Sequence, residues 1–229
     1  MVKNHLKRIA APKSWLIRRK GTPFITRPRS SGHSMRMMLP IAVVLRDILG
    51  LSERRKEVSR VLQHEQVLIN GRRTLDKRAG IGFMDTLEIS KANVRRRVSL
   101  DRKGRLSLIE IDEKETKIRP AKIIGKTMLQ KGKIQAHLMG GYNILVEKDS
   151  LKVGDTVLLE VPSLQVKDHF SLAKGAALIL TAGKHAGDQG IIEDIAAQHL
   201  IYKNKANQSI QTLKKYAFVI GKNKPMVKL

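Results

Sequence analysis

Positive charge is spread unevenly along this chain, and that pattern limits what the chain can fold into. The first 46 residues contain eleven lysines and arginines and no aspartate or glutamate. Over all 229 residues, 45 basic and 20 acidic side chains give a formal net charge of +25. Such an excess repels itself in a compact molecule unless an anionic partner neutralises it, and nucleic acid is the usual partner. The charge therefore predicts a nucleic-acid-binding protein with a strongly basic N-terminal arm.

The rest of the composition excludes several classes of protein. Hydrophobic residues make up 41% of the chain, which is enough for a buried core, and aromatic residues only 3%, so that core should be aliphatic. The absence of cysteine excludes disulfides, thiolate zinc sites, iron–sulfur clusters and cysteine nucleophiles. The longest apolar stretch, residues 37–45, contains Pro40 and is far shorter than the roughly 20 residues of a membrane-spanning helix. With no signal-peptide pattern at the N-terminus, we expect a soluble intracellular protein.

The basic arm, residues 1–40, has several prolines, glycines and serines and little periodicity. We expect that it cannot order itself and that it folds against phosphates when it meets its partner. Trp15 is the only tryptophan, and it either stacks on a base or fixes the arm to the folded body. The candidate RNA contacts of the arm are Lys3, Lys7, Arg8, Lys13, Trp15, Arg18, Arg19, Lys20, Arg27, Arg29 and Arg36.

Residues 41–64 are predicted to form two helices. Apolar residues at i, i+3, i+4 and i+7 give one face of a first helix, which Gly50 should end. Ser52 is a favourable N-cap for a second helix, with Glu53 in its first turn, where the helix dipole favours an anion. The buried faces of the two helices would contain Ile41, Val44, Leu45, Ile48, Val58, Val61 and Leu62.

An Asn-Gly pair at positions 70 and 71 lies between two strand-like runs. This pair is the strongest short hairpin signal, because a type I′ turn needs two consecutive residues with positive φ. The two arginines that follow it should project beside the cations of the second helix. The candidate RNA contacts of the helix and hairpin are Arg54, Arg55, Lys56, Arg60, Arg72 and Arg73.

These residues resemble the alpha-L RNA-binding module, and the likeness lies in residues 45–47, 55–62, 67–72 and 82–89. The resemblance implies that the second helix and the hairpin bind structured RNA through its shape and backbone. Many members of the module have glycine at the end of the second helix, where this chain has Glu65. Because a side chain in the left-handed region costs about 1 kcal/mol, we expect that turn to be built differently.

Residues 92–171 contain many short apolar runs separated by glycine and aspartate, and no long helical pattern. This pattern predicts a small β barrel or sandwich, which begins with a hairpin whose loop is residues 101–104. No catalytic constellation stands out, and Asp112, Glu113 and Glu115 are interpreted as solvated charges. The candidate RNA contacts here are Arg95, Arg96 and Arg97.

Residues 177–192 place a strand, a glycine-rich basic loop and a second strand in sequence. Glycines in such a loop allow positive φ and a close approach to another molecule. The pattern resembles the KOW motif of small SH3-like barrels, with Gly187 and Gly190 at its glycine positions. A nucleotide-binding P-loop does not fit, since that loop opens a helix and this one opens a strand. The candidate RNA contacts are Lys184, His185, Lys222 and Lys224.

The two modules in this order, with residues 5–15 before them and 218–225 after them, resemble small-subunit ribosomal protein four of the e-type. That family belongs to archaea and eukaryotes, and the short chain is similar to its archaeal members. One departure is Ala182, where relatives often have a second glycine, and it bears only on the shape of the loop.

This resemblance implies an α+β fold that is mostly β, and a structural constituent of the small ribosomal subunit with a role in translation and subunit assembly. It implies small-subunit rRNA and neighbouring small-subunit proteins as partners, and a cytoplasmic location. It also implies no enzyme activity, cofactor, metal, membrane, small-molecule substrate or self-oligomer. The expected parts are the basic arm, the alpha-L module, a β-rich central domain, and a KOW SH3-like barrel with a basic tail, at residues 1–40, 41–91, 92–171 and 172–229.

Two rival functions are considered. An RNA-modifying enzyme with an appended alpha-L module would need a large catalytic domain, and the region after residue 91 is too short and too basic for one. The seven histidines also lack metal-ligand spacing. A KOW-type factor that visits the ribosome transiently would not need so cationic an arm.

Overall fold

The computed structural model describes residues 4–146 and 150–228 and is mostly β with few helices, as the sequence predicted. The chain divides into two compact units. The first contains Met1–Ser99 and Arg105–Lys117, and the second contains Leu100–Gly104 and Ile118–Leu229. Within the described ranges, no helix is long and apolar enough to cross a membrane. The four-part division at residues 40, 91 and 171 stays a prediction.

Short strands build the sheets of the first unit. A central sheet has the order β5-β4-β7-β8-β9, and two small sheets pair β1 with β2 and β3 with β6. The hairpin predicted around residues 101–104 is present as the neighbours β8 and β9. The strands are β1 (Leu6–Lys7), β2 (Phe24–Ile25), β3 (Met38–Pro40), β4 (Val67–Ile69), β5 (Arg72–Arg73), β6 (Gly80–Gly82), β7 (Thr86–Ile89), β8 (Val94–Leu100) and β9 (Leu106–Glu110).

The first predicted helix begins at Ile41 as expected, the second begins later than predicted, and a third short helix was not predicted. Helix α1 (Ile41–Val43) continues as a π-helix over Val44–Ile48, α2 is Arg55–His64, and α3 is Glu113–Thr116. Single 3-10 turns lie at Arg8–Ala10 and Met35–Met37. After the π-helix the chain turns at Gly50, whose φ is +65°, as predicted for a helix-ending glycine. Most of the predicted apolar faces are buried, with Val58 and Leu62 of α2 fully inaccessible, while Ile48 and Val61 are half-buried.

The start and the end of α2 differ from the simplest expectation. Ser52 does not cap the helix, because the helix begins at Arg55 and the Ser52 side chain is buried. Instead the Glu57 carboxylate accepts the backbone N–H groups of Glu53 (2.8 Å) and Arg54 (3.2 Å). These hydrogen bonds, that of Glu53 first, lower the pKa of Glu57. At the other end Glu65 is extended, with φ −99° and ψ 144°, so the turn avoids the left-handed region as expected.

The N-terminal arm is packed against the rest of the first unit, which contradicts the expectation that it cannot order itself. Trp15 is 2% exposed, and its indole Nε1 donates to the Met35 carbonyl at 3.3 Å. The backbone N–H of Leu106 donates to the Ser14 carbonyl at 2.8 Å, beside an isolated β-bridge between Trp15 and Leu106. The expectation failed because irregularly spaced apolar residues, invisible to a periodicity test, can complete the core of a neighbouring sheet.

The second unit contains two five-stranded sheets, with orders β12-β11-β10-β13-β14 and β18-β17-β16-β15-β19. The short strands predicted from the apolar runs are present. They are β10 (Ile118–Met128), β11 (Ile134–Leu138), β12 (Tyr142–Val146), β13 (Thr156–Glu160), β14 (Gln165–Phe170), β15 (Ala177–Leu180), β16 (Gln189–Ile195), β17 (His199–Asn204), β18 (Ser209–Leu213) and β19 (Ala217–Gly221). Single 3-10 turns lie at Gln130–Gly132 and Lys214–Tyr216.

Mostly aliphatic side chains fill the second unit. One cluster of buried residues includes Leu178, Leu180 and Leu200 around Tyr202, and a second includes Ile123 and Val157. The Tyr202 hydroxyl donates to Asp188 at 3.3 Å. Burial, and then the charge of Asp188, raise the pKa of Tyr202 well above its usual range, so this side chain stays a neutral donor.

Two glycines of the KOW-like loop are required by packing inside the second unit. Gly187 has φ +89°, and a Cβ added there would overlap the carbonyl oxygen of Asp101. A Cβ added at Gly190 would overlap the carbonyl oxygen of Lys203 on the neighbouring strand. These glycines therefore allow segments of this chain's own backbone to approach each other closely.

Gly187→Ala should destabilise the second unit by about 3 kcal/mol, because left-handed strain adds to a backbone overlap that cannot relax cheaply. Gly132→Ala is the matched control, since Gly132 also has positive φ (+72°) but nothing within 4 Å of its added Cβ. That variant should lose only about 1 kcal/mol. Urea unfolding of both variants measures the difference, and equal losses would show that the Asp101 contact is absent.

Trp15→Ala should lower the free energy of unfolding of the first unit by about 3–5 kcal/mol, because it removes a large buried side chain. The neighbouring Leu16 is 49% exposed, so Leu16→Ala should change stability by no more than about 0.5 kcal/mol. Urea unfolding of the free protein, without RNA, measures both. If both variants lower the free energy of unfolding by the same small amount, the arm is not packed in the free protein.

Candidate nucleic-acid interface

Helix α2 presents its cations to solvent. Burial of Val58 and Leu62 fixes which side of the helix faces the core, and the basic residues lie on the other faces. The exposed cations just before and within the helix are Arg54, Arg55, Lys56 and Arg60.

The hairpin after α2 adds two exposed arginines. Asn70 and Gly71 have φ of 50° and 72°, which confirms the predicted pair of positive-φ residues. The register pairs Leu68 with Arg73 and Ile69 with Arg72. Arg73 donates from Nη2 to the Gln63 carbonyl at 3.1 Å, and this bond ties the hairpin to the last turn of α2. We call Arg54, Arg55, Lys56, Arg60, Arg72 and Arg73 the α2–hairpin surface.

A buried carboxylate holds the turn of this hairpin in place. The Asn70 amide donates from Nδ2 to Asp85 Oδ1 at 2.9 Å, and its Oδ1 accepts the Thr86 N–H at 2.9 Å. Asp85 Oδ2 accepts the Gly82 N–H at 2.7 Å and lies 3.1 Å from His33 Nε2. Asn70 and Asp85 are only 4% and 3% exposed, so these bonds form in a medium of low dielectric, where they are strong.

The arm presents a second set of exposed cations. Arg29 also pairs with Asp76 at 3.0 Å while its side chain stays 68% exposed. Arg27 is half-buried, and its carbonyl accepts from Arg78 Nε at 3.1 Å. Lys3 lies outside the described residues. The exposed basic residues of the described part of the arm are Lys7, Lys13, Arg18, Lys20, Arg29 and Arg36.

Three residues of the arm predicted to contact RNA instead make internal contacts. Arg8 is 7% exposed, donates to the Arg18 carbonyl at 2.7 Å and faces Asp47 at 3.5 Å. Arg19 is half-buried and donates to the carbonyls of Ala11 and Pro12, both at 2.9 Å. Trp15 fixes the arm to the body, the second of its two alternatives. Arg8 and Trp15 are therefore engaged inside the first unit, and the RNA contacts predicted for them stay a prediction that would require the arm to unpack.

The arginine run on β8 is largely neutralised by nearby glutamates. Arg97 is fully buried, with its Nη1 2.5 Å from Glu115 Oε2, and desolvation lowers the pKa of this guanidinium while Glu115 opposes the shift. Arg97 is therefore engaged inside the protein, and its RNA contact stays a prediction, whereas the reading of Glu115 as a solvated charge is wrong, since Glu115 pairs with it. Arg95 and Arg96 are half-buried and pair with Glu113 at 3.2 Å and with Glu110 at 3.0 Å. The sequence showed these charges but could not show that β8 brings them to α3 and β9.

The glycine-rich loop and the C-terminal tail carry further exposed charge. Lys184, Lys222 and Lys224 are exposed. His185 is half-buried, with its Nδ1 3.8 Å from Asp188 Oδ2, which is too long for a hydrogen bond.

Sequence reasoning missed two further groups of residues. Arg102 and Lys103 were not among the predicted RNA contacts, although the predicted loop contained them. Both are exposed at the tip of the β8–β9 hairpin. The pairing of Asp85 with His33 and Asn70 had no sequence signal, because the three residues are far apart along the chain. In the part of the chain that the structure describes, no group of three or more His, Asp or Glu residues could hold a metal ion.

Comparisons with known proteins agree on one family. The model of the ribosomal family S4e matches residues 93–166, and the RS4NT (NUC023) domain matches residues 2–36. The small ribosomal subunit protein eS4 of Methanosphaera stadtmanae is 37% identical over 99% of this chain and 96% of its own length. The chain belongs to the ribosomal protein family S4e. The predicted archaeal-type family, its non-enzymatic nature and its location in the cytoplasmic ribosome are confirmed by this membership.

Other relatives give the same result for the whole chain. The eS4 proteins of Methanocella arvoryzae and Methanocaldococcus jannaschii are each 34% identical over 99% of this chain and 98% of their own lengths. The crystal structure of the 30S ribosomal protein S4e from Thermoplasma acidophilum matches with a TM-score of 0.70 and 25% identity, over 81% of this chain and 95% of that one. The S4e family is therefore supported by both the sequence and the fold.

Asp85→Ala should lower the free energy of unfolding of the first unit by about 3–5 kcal/mol, because it leaves buried donors on Gly82, Asn70 and His33 without their acceptor. Glu110→Ala is the control, since the exposed Glu110 only pairs with Arg96 at 3.0 Å, and it should cost no more than about 1 kcal/mol. Urea unfolding of the free chain measures both. A loss for Asp85→Ala no larger than the control would show that the hairpin turn does not depend on this carboxylate.

Proposed function

We propose that this S4e chain is a structural constituent of the small ribosomal subunit that binds small-subunit rRNA. The observation that carries the proposal is the α2–hairpin surface, with six exposed cations on a helix and a turn that the first unit holds rigid. Relatives across nearly the full length are named as small ribosomal subunit proteins, which supports the same assignment. We propose a role in translation and subunit assembly, with neighbouring small-subunit proteins as further partners.

The proposed mechanism is electrostatic and architectural. Lysines and arginines displace condensed counterions from the RNA phosphates, which supplies affinity without sequence preference. The A-form groove of an RNA helix is recognised by shape and phosphate position, so cations on a rigid helix and hairpin fix the register of the rRNA. Because Asp85 and Arg73 hold the turn against its neighbours, the backbone of the α2–hairpin surface does not need to be ordered on binding, and only the side chains of its cations lose entropy.

The remaining exposed cations extend this surface in the proposal. The six exposed cations of the arm form a second contact region on a segment that is already packed, so its order does not depend on RNA. The half-buried Arg19, Arg27, Arg95 and Arg96 and the loop residue His185 would add secondary contacts. We further propose that residues 41–91 form an alpha-L module and residues 172–229 a KOW barrel, whose exposed contacts are Lys184, Lys222 and Lys224.

Charge reversal of Arg54, Arg55, Arg72 and Arg73 to Glu should weaken binding to small-subunit rRNA and flatten its salt dependence. Each lost phosphate contact removes about 0.7–0.9 from the slope of log K against log salt, so the combined variant should lose about 3. Filter binding at a series of salt concentrations measures both quantities.

The matched control reverses four exposed lysines of the second unit that lie outside the proposed surface, Lys133, Lys152, Lys203 and Lys205. It removes the same net charge, so any general loss of attraction is equal in the two variants. If the two variants have the same affinity and the same slope, the α2–hairpin surface is not part of the interface.

A further inference from the structure

The second unit contains an open cleft of about 660 Å³ that the proposed function does not use. Its walls are mainly apolar and include Ile124, Met139, Val153 and Leu213. Ile124 and Val153 are 59% and 54% exposed, so their side chains are left without a covering group. The volume lies in the range of roughly 300–1,000 Å³ that is typical of sites for small molecules and single ligand groups.

The charged groups that line this cleft are all cations. Lys214 and Lys215 lie on the 3-10 turn between β18 and β19, and no residue lining the cleft within the described ranges is acidic. Lys122 on β10 donates from Nζ to the carbonyls of Lys215 at 2.8 Å and Ala217 at 2.5 Å. Burial lowers the pKa of Lys122 to about 8, so near neutral pH this amine remains a cation that an approaching anion would stabilise further.

The cleft also offers hydrogen-bonding groups at its edge. The Gln198 side chain is exposed, and its amide supplies both a donor and an acceptor. The Thr181 hydroxyl donates to the Tyr216 carbonyl at 3.0 Å, which leaves its oxygen lone pairs available as acceptors. The cleft therefore combines apolar walls, hydrogen-bond donors and acceptors at its edge, and a cationic rim. These features match an occupant with a flat apolar face, a polar edge and an attached anion.

We infer that this cleft receives an unpaired nucleotide of the small-subunit rRNA, with the base against the apolar wall and its phosphates on Lys214 and Lys215. The inference rests on the proposed function, because it requires that the chain binds rRNA. Proteins that read RNA specifically do so on unpaired bases, whose faces stack and whose edges form hydrogen bonds. Among the described residues that line the cleft there is no carboxylate that would favour an amine or a metal ion as the occupant. An acidic protein segment with an apolar side chain is the alternative that the experiment must separate.

The test uses the full chain and small-subunit rRNA transcribed in vitro, with nucleotide reactivity measured by 2′-hydroxyl acylation. Wild type should protect one or a few unpaired nucleotides that Ile124→Glu leaves reactive, while the rest of the footprint is unchanged. Affinity should fall about fivefold or more, because the new carboxylate removes an apolar contact of the base and repels its phosphates. Lys214→Gln with Lys215→Gln should expose the same nucleotides and reduce the salt slope by about 1–2.

Two controls separate the cleft from general effects. Leu145 is 66% exposed and does not line the cleft, so Leu145→Glu adds the same charge to the second unit and should leave every protection in place. Lys203→Gln with Lys205→Gln is the control for the lysine pair. Circular dichroism confirms that each variant is folded, which is expected since all of the substituted side chains except the half-buried Lys214 are exposed.

The outcomes are distinguishable from failure of the proposed function. If Ile124→Glu and wild type give the same footprint and affinity, the nucleotide proposal is overturned and a protein segment becomes the better occupant. Equal losses in Ile124→Glu and Leu145→Glu also overturn it, because charge alone would then explain the effect. If wild type does not bind the rRNA, or reversal of the α2–hairpin surface leaves binding unchanged, it is the proposed function that fails.

Discussion

The buried carboxylate of Asp85 is the contact on which the first unit depends most. Its two oxygens meet the Asn70 amide, the Gly82 backbone N–H and the His33 ring, and these groups come from the hairpin turn, from β6 and from the arm. A carboxylate in so dry a place is stable only when several donors surround it, so the three segments must be in position together. The α2–hairpin surface keeps its shape for this reason, since the turn that presents Arg72 and Arg73 is fixed from the inside.

Much of the fold follows from local patterns, because those patterns have local causes. The Asn-Gly turn at residues 70 and 71 depends on φ preferences that no distant contact has to supply, and the apolar face of α2 follows from its periodicity. Ser52 was misassigned because residue preference alone chose the cap, whereas in the structure the Glu57 carboxylate accepts the N–H groups at the start of the helix. The strands of the second unit were visible as short apolar runs, but the sequence could not give their order in the sheets.

The candidate site was harder to predict, because the sequence does not show whether a basic side chain is exposed to solvent or is hydrogen-bonded inside the protein. Arg97 and Lys184 look alike in a count of charges, yet the first is buried against Glu115 and the second is exposed. Arg8 and Arg19 likewise satisfy backbone carbonyls of the arm itself. Guanidinium groups suit this use, since their several donors can satisfy carbonyls that an irregular segment leaves unpaired. Net charge therefore overstates how many cations are available to a partner.

The packing of the arm has a consequence for how the chain is made. The arm leaves the ribosome that synthesises it before the strand it packs against, since Ser14 and Trp15 contact Leu106, which is added about 90 residues later. At roughly 5–20 residues per second, that interval lasts about 5–20 s. During this time the nascent chain carries a dense block of positive charge with no folded body to pack against, beside the RNA of the translating ribosome. The arm is therefore open to indiscriminate RNA binding until Leu106 and its strand have been added.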